Sequence, residues 1–216
     1  MTEGAPLPIP VDFAGDVVCL DCFMMLRRVK AVVATVPGLA VDIRWRPFQI
    51  DPDMPPEGQD RAAYVEAAHG SEEIAATLAG LAEIKRQFGI ELTFDNIKRQ
   101  PNTFAAHRLI RFASPFGREI EMAESLFQAF FLKGLDIGDQ EVLAALAEQS
   151  GVDAVLAASF LKGDDGVAAL KQELADVRAA GVLHPPRFTF AGKQTLVGVK
   201  PVEDIADALF GSIEDE

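Results

Sequence analysis

The chain contains two cysteines, Cys19 and Cys22, three positions apart in Val17-Val18-Cys19-Leu20-Asp21-Cys22-Phe23. They stand where a strand-like run hands over to a helix-like run. A thiol at a helix start is easier to ionise, because free N–H groups and the helix dipole favour negative charge there. The thiolate is the nucleophile of disulfide exchange. A second thiol one turn along can attack the mixed disulfide and release the partner. The spacing therefore suits two-electron thiol chemistry on a protein or small-molecule disulfide. Two other fates remain open for the pair, plain core packing and metal binding. A zinc site needs about four ligands. His107 and His184 would have to converge on the cysteines from distant positions to complete one, so no metal is expected.

The elements around the pair must hold a strand end against a helix start. Ile9 to Phe13 alternates as a short strand does, and Ala14 to Val18 reads as a loop centred on Gly15-Asp16. A helix is expected from Cys22, with Phe23, Leu26, Val29, Val33 and Val36 near helical spacing and Pro37-Gly38 as its stop. Val41 to Trp45 alternates again. Strand, helix, strand is a βαβ unit with a parallel pair and a right-handed crossover.

A proline-rich loop fills residues 47–58, and a helical block follows. Arg61 to Ala68 reads as a short helix. Ser71 caps a second, with Ile74, Leu78, Leu81, Ile84 and Phe88 on one face. Asn102 caps a third, burying Phe104, Ala105, Leu109, Ile110 and Ala113. Ile120, Ala123, Leu126, Phe127, Phe130 and Phe131 mark a strongly amphipathic helix that ends at Gly134, and Asp139 and Asp153 cap two more. After a helix from Gly166 to Ala180, Arg187 to Phe190 and Thr195 to Gly198 form a hairpin around Ala191-Gly192-Lys193. Pro201 suits the first position of a last helix. The expected fold class is α/β, a thioredoxin fold with a mixed four-stranded sheet and a large all-helical insertion. Residues 1–57 and 163–216 form the thioredoxin-like domain, and residues 58–162 the helical insertion.

Composition limits the function classes. The apolar share of 49% excludes a disordered chain, and the net charge of −13 argues against nucleic acid and anionic membrane surfaces. No apolar run approaches the roughly 20 residues that span a bilayer. The N-terminal residues lack a basic start followed by an apolar core. A cytoplasmic protein is expected, and in that reducing compartment a purely structural disulfide is disfavoured.

Several stretches carry a family resemblance. They are Asp16-Val17-Val18-Cys19-x-x-Cys22, the loop from Arg46-Pro47-Phe48 to Met54-Pro55, Pro101-Asn102-Thr103-x-x-Ala106-His107-Arg108-Leu109, Leu126-Phe127-x-Ala129-Phe130-Phe131, and Gly181-Val182 to Phe188. In this order they resemble the DsbA-like thioredoxin-fold proteins with a helical insertion, and among them the FrnE-like group. The resemblance implies that Cys19 attacks, that Cys22 resolves, and that Pro186 is a cis-proline facing them. It also brings in Asn102, His107, His184, Pro185 and Arg187 as candidate substrate-binding residues.

Three departures from the family pattern bear on the chemistry. Leu20-Asp21 stands where relatives often have Pro-Trp or Pro-His, and the Asp21 carboxylate should disfavour a thiolate beside it. Pro185 precedes Pro186, and a proline has no N–H to offer an extended substrate. His184 and Arg187 could bring compensating positive charge near the thiols.

The first functional expectation is a thiol–disulfide oxidoreductase with no tightly bound cofactor and glutathione as a candidate co-substrate. The second is a glutathione-dependent enzyme like the 2-hydroxychromene-2-carboxylate isomerases and kappa-class transferases. Those enzymes tend to carry serine where Cys19 stands, so the intact pair favours the first. They are often dimers, which makes a homodimer an expectation by analogy. The third is a chaperone or binding role that would survive loss of both cysteines.

Overall fold

The computed structural model describes residues 8–68 and 89–212. The expected helix capped by Ser71 lies outside the described residues. The elements run β1 (Ile9–Gly15), α1 (Leu20–Ala34), β2 (Val41–Pro47), β3 (Gln59–Asp60), α2 (Arg61–Ala68), β4 (Arg99–Gln100), α3 (Phe104–Ala113) and α4 (Glu119–Lys133). They continue with α5 (Gln140–Gln149), α6 (Ala154–Lys162), α7 (Val167–Ala179), β5 (Arg187–Phe190), β6 (Gln194–Val197) and α8 (Val202–Gly211). Two compact units result, residues 1–50 with 166–216, and residues 51–165.

The first unit is a thioredoxin fold built on a four-stranded sheet in the order β2-β1-β5-β6. β1 and β2 are parallel, from Ile9 opposite Val41 to Gly15 opposite Pro47. β5 runs antiparallel to β1, from Val11 opposite Phe190 to Ala14 opposite Arg187, and β6 runs antiparallel to β5. Alternation splits the sheet into two faces. On one face the Phe13 ring stacks on Phe188 at 4.2 Å and meets the edge of Trp45 at 4.9 Å. On the other, Ala14 packs with Phe48 and Val182 beneath Val177 of α7.

Strands β1 and β2 run further than the alternation of their sequences suggests. β1 reaches Gly15, read from sequence as loop, because the ladder to β2 carries it on. Glycine is required there. A Cβ at Gly15 would lie 2.9 Å from the Phe13 ring and 3.2 Å from the Trp45 ring. Helix α1 starts at Leu20, two residues before the expected Cys22, with Cys19 as its N-cap.

The second unit begins at Asp51, so residues 51–57, read from sequence as part of the thioredoxin-like domain, belong with the helices. The reason is local. Asn102 Nδ2 donates to the Met54 carbonyl at 2.6 Å and fastens the proline loop to the start of α3. β3 and β4 then form a two-residue ladder not foreseen in the sequence. The formal N-cap of α3 is Thr103, one position after Asn102. Asn102 still supplies the side-chain acceptor, taking the Phe104 N–H at 2.9 Å. Asp139 and Asp153 cap α5 and α6 as expected, each accepting two N–H groups.

The core of the second unit is aromatic on α4, where Phe127, Phe130 and Phe131 are fully buried. Arg108 of α3 is buried as well. Its guanidinium donates to the carbonyls of Phe160 (2.8 Å), Leu161 (3.0 Å), Gly163 (2.7 Å) and Asp165 (2.8 Å). These carbonyls end α6, where a helix has no donors of its own and the dipole favours a cation. Among the described residues no helix is long and apolar enough to cross a membrane.

Candidate thiol site

Cys19 and Cys22 come together at the C-terminal end of β1, through local geometry. The Cys19 N–H donates to the Asp16 carbonyl at 3.0 Å, closing the turn between β1 and α1. The backbone at Cys19 is extended (φ −89°, ψ 110°), which turns its side chain back over the first turn. Its sulfur accepts the Cys22 N–H at 3.1 Å. Serine and aspartate oxygens do the same at other helix starts. Here a sulfur takes the donor.

The two thiols are unbridged and differ in environment. Cys19 is 7% exposed and Cys22 0%. Burial pushes the Cys22 thiol well above its ordinary range. Its hydrogen bond to Cys19 and the charge of Cys19 push the same way. The Asp16 N–H pulls it down, and the negative charge of Asp16 pushes it up. Both thiols are buried, and only Cys19 keeps a small exposed area.

Asp16, read from sequence as a loop residue that opens the Asp16-to-Cys22 motif, was given no role of its own there. It is 1% exposed. Its carbonyl holds Cys19, its N–H faces Cys22, and its Oδ2 accepts the Ile50 N–H at 2.8 Å. A carboxylate three residues before the first cysteine was the available signal. Asp21, the carboxylate that sequence reasoning did single out, lies exposed on the first turn of α1. Partial burial pushes its carboxyl up, and Arg28 opposes the shift.

Pro186 is reached through the sheet. The β1–β5 ladder ends with Ala14 opposite Arg187, so Pro186 directly precedes β5 at the end of the sheet where β1 gives way to the Cys19 turn. The Pro185–Pro186 peptide is cis. Pro186 is buried, and its carbonyl accepts the Gly198 N–H at 2.9 Å. Pro185 is half-buried and His184 exposed. Arg187 donates to the Ala180 carbonyl at 3.3 Å. Its side chain lines a groove of about 330 Å³ between α7 and the Ala14 face of the sheet, together with Arg46, Asp12 and Asp176.

Asn102 and His107 lie in the second unit. Asn102 ties α3 to the Met54 loop. His107 is buried on α3 next to Arg108. Among the described residues no group of three or more His, Cys, Asp or Glu side chains could hold a metal ion.

Comparison with known proteins matches residues 10–210 to the family described as DSBA-like thioredoxin domain. Three solved structures share the fold. A probable DsbA oxidoreductase from Streptomyces coelicolor is 20% identical with a TM-score of 0.86, covering 96% of this chain and 91% of that one. A 2-hydroxychromene-2-carboxylate isomerase is 16% identical with a TM-score of 0.65, covering 88% of each chain. The cytosolic disulfide reductase DsbM from Pseudomonas aeruginosa, solved with GSH, is 18% identical with a TM-score of 0.59, covering 87% of this chain and 89% of that one.

Proposed function

The chain belongs to the DSBA-like thioredoxin domain family, and on that premise we propose that it is a thiol–disulfide oxidoreductase in which Cys19 attacks and Cys22 resolves. The Cys19 thiolate attacks one sulfur of a substrate disulfide. The substrate S–S bond breaks, one half leaves as a thiolate, and a mixed disulfide forms on Cys19. Cys22 then gives its proton to the Asp16 carboxylate and attacks the Cys19 sulfur. The second half leaves as a thiolate, and the electron pair has passed from the Cys19–Cys22 dithiol to the substrate. With a substrate dithiol and the oxidised pair, the steps run in reverse.

The single observation that carries this reading is the Cys22 N–H donated to the Cys19 sulfur at 3.1 Å, with the Cys22 thiol buried beneath it. A core thiol has no need to cap a helix. The cis Pro185–Pro186 bend at the same end of the sheet supports it. Pro185 offers no N–H to a substrate strand, which favours a small-molecule disulfide or a narrow set of protein partners over general exchange. Glutathione, in a reducing cytoplasm, is the co-substrate that fits this reading. The intact cysteine pair disfavours the isomerase reading.

Reduction of insulin and of glutathione disulfide by wild type and by Cys19→Ser tests the reading. Turnover of either substrate that is lost in Cys19→Ser supports it. Turnover that survives the substitution, or glutathione binding with no disulfide exchange by wild type, rejects it.

A further inference from the structure

We propose that Arg178, on the last turn of α7, is a positioning residue for the resolving step, acting on Cys22 through residues 48–50 and Asp16. The inference rests on the disulfide-exchange reading above. Arg178 is 129 residues from Gln49 in sequence, yet its Nη2 donates to the Gln49 carbonyl at 2.7 Å. Its guanidinium carbon also lies 4.4 Å from the centre of the Phe48 ring. Phe48 and Gln49 are both buried. A charge-assisted bond and a cation over a ring, made by one planar group, fix both the position and the tilt of this segment.

The same segment holds the turn that carries the cysteines. The Phe48 N–H donates to the Gly15 carbonyl at 3.0 Å, and the Ile50 N–H donates to Asp16 Oδ2 at 2.8 Å. Asp16 in turn presents its N–H and its charge to Cys22. Arg178 is thus three contacts from the resolving thiol. Cys19 stands differently. Cys19 meets Asp16 at the backbone, where its N–H donates to the Asp16 carbonyl at 3.0 Å, and its sulfur is held by the Cys22 N–H within the first turn of α1. Loss of Arg178 removes a charged donor from the Gln49 carbonyl and the cation from the Phe48 ring, so residues 48–50 shift and the Ile50 N–H holds the Asp16 carboxylate less closely in one orientation. Displacement of a proton acceptor by about an ångström slows the step it serves, whereas a thiol held by hydrogen bonds within its own turn keeps its rate. The resolving step should therefore slow while the attack keeps its rate.

The test separates the two steps. Attack is measured as mixed-disulfide formation on a Cys22→Ser background, and resolution as single-turnover release from the Cys19 mixed disulfide. Arg178→Ala is expected to slow resolution about fivefold or more while attack and KM stay within about twofold. In an Asp16→Asn background, already slow, Arg178→Ala is expected to add less than about twofold, because both substitutions break one chain. Where Arg178→Ala does not fold, Arg178→Lys carries the same expectations, since it keeps the charge but neither the fork nor the plane. Unchanged resolution overturns the proposal. So does equal slowing of attack and resolution, or a full Arg178 effect in the Asp16→Asn background. A wild type that exchanges no disulfide overturns the functional reading itself, a result distinct from an active wild type with an inert Arg178 substitution.

Discussion

The peptide N–H of Cys22 donates to the sulfur of Cys19 across 3.1 Å, so the sulfur of the first cysteine caps α1. Removing the acceptor should cost stability as well as chemistry. Cys19→Ala leaves that N–H without its partner and is expected to cost about 1 kcal/mol, lowering the melting temperature by roughly 2–4 °C. Cys19→Ser keeps an acceptor and should melt close to wild type. Thermal unfolding under reducing conditions distinguishes the two. Equal melting of both variants would show that the sulfur does no capping.

The Cys22 thiol predicts an alkaline weakness. Burial, the Cys19 hydrogen bond and the Asp16 charge hold its proton in the folded chain more tightly than in the unfolded one. The stabilising contribution is complete below the unfolded thiol's value, about 8.5. It is lost as pH rises from there through the folded value, because the unfolded state then sheds a proton that the folded state keeps. Reduced wild type should therefore lose stability between pH 8 and pH 10 more steeply than Cys22→Ser, which has no thiol to titrate there. Urea midpoints across that window, with excess reductant, measure it. Parallel slopes would remove the argument.

Arg108 should dominate the stability of the helical unit. Its guanidinium serves the four carbonyls that end α6, at 2.7 to 3.0 Å. Arg108→Leu strands these acceptors and is expected to cost about 3 kcal/mol in urea unfolding. Arg108→Lys, with the charge but not the fork, should recover less than about half of that loss. A lysine variant as stable as wild type would show that charge alone suffices.

Two glycines with the same backbone angle should respond differently to alanine. Gly134 has φ +66°, and a Cβ there would sit 2.7 Å from Asn96 atoms, backbone included. Gly117 has φ +67°, with nothing within 4 Å of a Cβ. Gly117→Ala should cost about 1 kcal/mol, the left-handed backbone alone. Gly134→Ala adds a collision with Asn96 and should cost at least about 2 kcal/mol more. Comparable losses for the two would mean that the Asn96 segment yields freely.

The sequence by itself determined whatever is settled within a few residues. The cysteine spacing, the capping by Asp139 and Asp153, the Gly134 stop and the hairpin around Gly192 all follow from neighbours along the chain, so pattern and turn chemistry reach them. The order of these elements was enough to expect a thioredoxin plan with a helical insertion. The helix start at Leu20 was missed by two residues, because the sulfur of its N-cap Cys19 is not among the usual capping atoms.

Tertiary structure decided what depends on distant strands coming into register. Asp16 read as a loop residue until β2 lay beside β1 and brought the Ile50 N–H to its carboxylate, 34 residues along the chain. Pro186 reaches the cysteine end of the sheet through the antiparallel pairing of β5 with β1, which sets Arg187 opposite Ala14. Arg178 reads locally as a cation suited to a helix C-terminus, and only the packing of α7 carries it to Gln49 and Phe48. Local energetics give each of these residues several acceptable settings. The sheet register and the close packing of its two faces leave one.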